Sequence, residues 1–168
     1  SIIFTNSGTV ESQSGSIAFS GGYTQTAGET KLNGGALSSS TTLNIQGGKL
    51  TGAGTVTASV SNAGQVSPGA SPGILNITGT YTQASTGTLN IEIGGLSAGT
   101  QFDQLKITGA ATLSGTLKVD LIGGFVPSPG NAFQIMTFAS RSGSFTTTNA
   151  PPGLVVNLNA TNVTVAAP

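Results

Sequence analysis

Ile17-Ala18-Phe19-Ser20-Gly21-Gly22-Tyr23-Thr24-Gln25 returns 58 residues later as Leu75-Asn76-Ile77-Thr78-Gly79-Thr80-Tyr81-Thr82-Gln83. In both copies a burst of alternating residues runs into glycine, and a tyrosine and a glutamine follow two positions apart. The repetition extends outward from this core. Asn6-Ser7-Gly8-Thr9-Val10 recurs as Asn62-Ala63-Gly64-Gln65-Val66, and Gly34-Gly35-Ala36-Leu37 returns one residue shorter as Gly94-Gly95-Leu96. Leu43-Asn44-Ile45 with Gly47 corresponds to Leu105-Lys106-Ile107 with Gly109. The offset drifts from 56 (6 to 62) through 58 (17 to 75) to 62 (43 to 105), so insertions fall in turns while the apolar positions keep their order. A repeat of this length holds two or three solenoid turns of roughly 20 residues each.

The local pattern is that of strands. Leu75-Asn76-Ile77, Leu89-Asn90-Ile91-Glu92-Ile93 and Leu117-Lys118-Val119-Asp120-Leu121 alternate apolar with polar residues. That places one face on a core and the other in water. No window carries apolar residues at helical spacing, and Gly and β-branched residues punctuate the chain. Gly-Gly, Asn-Gly, Ser-Pro-Gly and Thr-Gly between the bursts supply the backbone angles of tight turns. Gly47-Gly48 and Gly52-Ala53-Gly54 read as turns too, because no helix and lysine follow them to make a phosphate loop. The fold class expected is all-β.

Stacked turns of a parallel β-solenoid would give each strand two neighbours and bury a thin core of Ile, Leu, Val and Phe. Only 6% of residues are charged, which suits stacking, because like charges on successive turns would lie about 4.8 Å apart. A β-sandwich also has short strands separated by turns, but the internal repeat favours the solenoid. Residues 1–100 are expected to form the solenoid repeats. Residues 101–168 are expected to form its C-terminal end, a β cap closed by a hairpin. The strands lengthen from Gln101, Pro127 and Pro129 interrupt them, and Phe125, Phe133, Phe138 and Phe145 add bulk. Val155–Asn159 and Asn162–Val165 read as the two arms of that hairpin.

The order of several motifs resembles a known family. Val66-Ser67-Pro68-Gly69-Ala70-Ser71-Pro72-Gly73 is followed by Gly79-Thr80-Tyr81-Thr82-Gln83, Ile93-Gly94-Gly95 and Asp103-Gln104-Leu105-Lys106-Ile107-Thr108-Gly109. Over roughly residues 30 to 145 this resembles bacterial autotransporter and filamentous-haemagglutinin-like surface proteins. The resemblance implies a right-handed parallel β-helix passenger with a C-terminal segment like an autochaperone. It also implies an extracellular or cell-surface location and a role in adhesion, scaffolding or surface-layer formation.

Composition excludes several chemistries. The chain has no His and no Cys, so Ser-His-Asp triads, Cys-His dyads, disulfides and the common zinc sites are impossible. Its five Lys and Arg residues stand apart and balance five Asp and Glu residues, leaving no basic stripe for nucleic acid. No run approaches the 18 or so apolar residues that span a bilayer, and no membrane insertion is expected. No catalytic residue, cofactor or metal is expected. Glu92 with Asp103 or Asp120 is the pairing that a polysaccharide-active β-helix enzyme would need; solvated strand positions explain these residues equally well, and Asp103 reads as a turn or capping acceptor. Tyr23 and Tyr81 occupy matching positions and read as stacked core residues.

Two expectations concern surfaces. Thr24/Thr26, Thr55/Thr57, Thr78/Thr80 and Thr86/Thr88 would order water as ice-binding solenoids do if they lined one flat side. A solenoid also leaves open sheet edges, and Ile2-Ile3-Phe4-Thr5 is apolar, uncharged and free of Pro. Such a strand is an edge awaiting another strand. The expected partners are therefore the chain itself, head to tail or within a longer solenoid, or a cell or abiotic surface.

Overall fold

A computed structural model describes residues 2–168. Alternation sets its local structure, and the strands follow one another as β1 (Phe4–Asn6), β2 (Thr9–Ser12), β3 (Ser16–Phe19), β4 (Tyr23–Gln25), β5 (Glu29–Ser39), β6 (Leu43–Ile45) and β7 (Lys49–Thr57). Then come β8 (Val60–Asn62), β9 (Gln65–Pro68), β10 (Ile74–Ile77), β11 (Tyr81–Gln83), β12 (Thr88–Ile93), β13 (Gln104–Ile107) and β14 (Ala110–Leu113). The chain ends with β15 (Thr116–Leu121), β16 (Ala132–Thr137), β17 (Ser140–Gly143), β18 (Thr147–Asn149), β19 (Val155–Leu158) and β20 (Asn162–Ala166). Among the described residues there is no helix.

The expected all-β class holds, and pairing between strands is mostly parallel. One seven-stranded sheet, β1-β4-β6-β8-β11-β14-β17, is parallel throughout. The remaining strands form a second sheet with two arms that share β5 and β7. The first half of β5 pairs β2 and its second half pairs β3, while β7 pairs β9 with its first half and β10 with its second. One arm continues β9-β12-β15-β18, the other β10-β13-β16-β20-β19. The chain thus visits three strand series in rotation, and each visit to all three makes one tier.

Partners in the first series lie 19, 20, 17 and 21 residues apart from Phe4 through Tyr23, Leu43 and Val60 to Tyr81, then 30 and 30 onward to Ala111 and Arg141. The longer steps accommodate residues 94–103 and 122–131, which lie outside the strands. Insertions therefore do sit between strands, and parallel pairing runs past Gln101 as far as Asn149. Among the described residues the only antiparallel strand pairs are β16–β20 and β19–β20, where Leu158 pairs Val163 as expected of the hairpin.

Two glycine readings need correcting. Gly34-Gly35 and Gly52-Ala53-Gly54 do not end strands but lie inside β5 and β7. Gly52 has φ of +99°, and a Cβ there would lie 1.9 Å from the Leu32 carbonyl oxygen of the neighbouring strand. Glycine lets the strand bend and pass close to its neighbour without breaking the ladder.

Inward residues make one continuous core. Leu37, Val56, Ile77 and Ile107 stack in register, as do Leu50, Val66, Leu89 and Leu117. Tyr23 and Tyr81 are buried, in line with their core reading. Beside them runs a buried polar column that alternation did not announce. Asn6, Gln25, Ile45, Asn62 and Gln83 follow one another in register, and the four amides are almost inaccessible to solvent.

Each amide reaches across the corner to the next tier. Asn6 Nδ2 donates to the Glu29 carbonyl at 3.3 Å, Gln25 Nε2 to Lys49 at 3.1 Å, Asn62 Nδ2 to Thr88 at 3.1 Å and Gln83 Nε2 to Thr116 at 2.9 Å. Tyr81 donates its hydroxyl to Gln83 Oε1 at 2.8 Å. Burial pushes both tyrosine phenols above their ordinary range. Buried amides are tolerated where they find partners; the NH₂ groups here do and tie tier to tier, while the buried Asn62 Oδ1 has no partner.

Candidate functional site

The two ends of the stack differ in chemistry. At the N-terminal end β1, β2 and β3 are each paired on one side only. Ile2, Ile3 and Phe4 are 92%, 60% and 44% exposed, against a core whose members are nearly all below 5%. Phe4 stacks on Tyr23 at 5.7 Å between ring centroids, and Phe19 lies 4.9 Å from Phe4 and 4.8 Å from Tyr23. The four edge residues read from sequence therefore sit together at an open end: Ile2 and Ile3 precede β1, and Phe4 and Thr5 belong to it. Thr5 faces outward and pairs Thr24.

At the C-terminal end one arm is capped at β16, while β17, β18 and β19 are each paired on one side only. Hairpin β19–β20 folds back antiparallel on β16, over Phe133, Ile135 and Met136, all fully buried. Arg141 takes the place in the first series that Tyr81 and Ala111 hold in earlier tiers. Its guanidinium donates to the carbonyls of Asn159 (2.8 Å), Leu158 (3.2 Å) and Gly143 (2.8 Å), so one side chain ties the hairpin to β17.

Charge is unevenly distributed around the stack. Of the ten charged side chains, Glu11, Glu29, Lys31, Lys49, Glu92, Lys118 and Asp120 project outward from strands of one arm, β2-β5-β7-β9-β12-β15. Glu11 faces Lys31 and Glu29 faces Lys49 across neighbouring strands, with ion-pair distances of 3.9 and 3.6 Å. Opposite signs on adjacent strands avoid the repulsion that stacking would impose on like charges. By contrast, the outward column of the seven-stranded sheet is Thr5, Thr24, Asn44, Ser61, Thr82, Thr112 and Ser142, without a charge.

A cleft of about 420 Å³ opens on the charged arm. Pairing of β12 with β9 covers only Thr88 and Leu89. Beyond it β9 ends at Pro68, and Gly69 turns aside to bridge Gly52 while β12 continues to Ile93. Asn90 and Glu92 are thereby left facing a gap. Asp103 braces the far side: 1% exposed, it accepts the Gly73 and Glu92 N–H groups, each at 2.9 Å. Burial pushes its carboxyl up to about 7 against those two donors, and the nearby Glu92 carboxylate adds to the rise.

The structure thus brings Glu92 beside Asp103 and pairs Glu92 in register with Asp120, whose carboxylate is held by Lys118 at 2.6 Å. Asp103 is a backbone acceptor, as its sequence position suggested. Among the described residues no three His, Cys, Asp or Glu side chains are grouped as a metal would require. The Thr-x-Thr pairs do not share a side. Thr24 lies on β4, Thr55 and Thr57 lie on β7, Thr78 and Thr80 lie between β10 and β11, and Thr86 precedes β12. Comparison of the chain with protein-family models yields no matching family, and comparison with curated proteins yields no match.

Proposed function

We propose that this chain is a structural, adhesive segment of an extracellular bacterial protein, a right-handed parallel β-helix that works by adding further strands at its N-terminal end. The three strand series would be the three faces of the helix, with right-handed crossovers as in nearly all parallel β-crossover-β units. The carrying observation is the exposed apolar cluster at the N-terminal edge: Ile2, Ile3 and Phe4 lie on or beside a strand paired on one side only, whereas the edge strands β17 and β18 at the other end carry polar residues. Free edges of this kind are templates for pairing. In this reading the chain catalyses no reaction and holds no cofactor, and resemblance to autotransporter-like passengers supports a place at the cell surface. Light scattering coupled to size exclusion tests it. The chain should associate as concentration rises, and Ile3→Lys should return it to monomer; a strictly monomeric parent chain refutes the reading.

One observation favours a second reading. The uncharged column from Thr5 to Ser142 presents hydroxyls and an amide at the roughly 4.8 Å spacing of neighbouring strands, a regular array of the kind that would order water. Thermal hysteresis in a freezing assay would support ice binding, and Thr82→Lys together with Thr112→Lys should abolish it.

A further inference from the structure

We propose that the cleft between β9, β12 and Asp103 binds a neutral polysaccharide chain lying along the stack. This inference is independent of end-to-end association, because it concerns a different surface. The cleft carries both signs of charge, with Lys31 and Lys49 set against Glu29 and Glu92, so no single ionic ligand is favoured over its opposite. It has no aromatic lining and only Pro68, Gly69 and Ala70 as apolar rim, which disfavours lipids and flat aromatic ligands. What it offers is a dense mixture of donors and acceptors.

Thr51 Oγ1 donates to Glu29 Oε1 at 2.6 Å and Gln65 Nε2 to Ser67 Oγ at 2.7 Å, but the rest of that capacity is unspent. The Lys49–Glu29 and Lys31–Glu11 pairs stand at 3.6 and 3.9 Å, outside hydrogen-bond distance. Among the described residues, the Glu92 carboxylate and Asn90 amide make no side-chain hydrogen bond within the chain. A sugar hydroxyl is both donor and acceptor, so it can answer an ammonium, a carboxylate and an amide in turn. The groups also recur from strand to strand: Lys31, Thr51 and Ser67 in one register row, Glu29, Lys49 and Gln65 in the next. Their spacing of about 4.8 Å suits a polymer crossing several strands better than a single compact molecule. Pockets of 300–1,000 Å³ are typical of small-ligand sites, and at about 420 Å³ this one has room for a short stretch of such a chain.

The test is an NMR titration of the ¹⁵N-labelled Ile3→Lys chain, a background that keeps end association out of the readout. The probes are cellohexaose and N-acetylated chitohexaose as neutral chains, hexagalacturonate as an anionic one and deacetylated chitohexaose as a cationic one. The neutral chains should shift the amide signals of Thr51, Ser67, Asn90 and Glu92, with Kd on the order of 1 mM for a few solvent-exposed hydrogen bonds. Asn90→Ala and Lys49→Ala should each weaken binding by about fivefold to tenfold while leaving the remaining spectrum in place. No shift with either neutral chain, shifts only with a charged one, or shifts unaffected by both substitutions would overturn the proposal.

Discussion

The first tier and the last are built from the same strand geometry and differ in one arm, where the last carries an antiparallel cap over β16. Phe4, Val10 and Ile17 have a neighbouring strand on one side and solvent on the other, while Met136 has β13 on one side and β20 on the other. The difference lies in a reversal of direction. A parallel strand passes its free edge on to the next strand, so a parallel stack cannot finish by itself. The antiparallel hairpin of β19 and β20, with Arg141 bonded to its carbonyls, is what allows the arm ending in β16 to stop.

The sharpest way to break this contrast is to damage the seal. Val165 is fully buried and pairs Phe133 and Val156. Val165→Asp would bury a charge without a partner and should cost about 4 kcal/mol or more. Calorimetry should show the lost stability. Light scattering should show larger aggregates than the parent forms, because the edge of β16 would then be open as well.

A lesion between the ends serves as the control. In Asp103→Asn the side-chain oxygen can accept one N–H, and the amide NH₂ then faces the other donor, costing about 2 kcal/mol. The folded protein also keeps a proton on Asp103 that the unfolded chain releases between pH 3.8 and about 7. Its contribution to stability is therefore complete below pH 3.8 and is lost as pH rises through about 7. Melting curves of the parent chain should show that decline, and Asp103→Asn should flatten it without changing association at either end.

Smaller effects sharpen the comparison at its two extremes. Arg141→Ala removes three donors to carbonyls at an exposed edge and should cost about 1–2 kcal/mol. Hydrogen exchange should quicken in β19 and leave β1 unchanged. Ile3→Lys should alter the stability of the single chain by less than about 0.5 kcal/mol, since Ile3 is mostly exposed. A large loss of stability in that variant would mean that Ile3 belongs to the core, not to an open edge.

Strand identity was legible because alternation is a local signal: Leu117 to Leu121 reads the same alone as it does in β15. The antiparallel hairpin of β19 and β20 was legible for the same reason. The amide column was harder to see. Asn and Gln were taken for the outward half of the alternation, yet Gln25 stands two residues from Tyr23 and Gln83 two from Tyr81, so a buried tyrosine places its glutamine inside as well. That parity was the available signal. The cleft had none, since it depends on which strands meet. Glu29, Lys49, Asn90 and Glu92 are scattered along the chain and become neighbours only once the register of β5, β7, β9 and β12 is known. The bend that carries β5 and β7 through their glycines was likewise hidden, because glycine signals turns and strand corners alike.

Ile45 has a consequence of its own. It occupies the one position between Asn6 and Gln83 in the polar column that carries no amide, and so it cannot tie its tier to the one after. Ladder bonds and apolar packing join the two tiers there, together with the bond from Asn76 Nδ2 to the Gly54 carbonyl at 3.1 Å. The molecule therefore has a parting plane after β7: under stress the residues through Thr57 should detach as one cooperative block while the later strands stay folded, a fault line inside an otherwise uniform pile.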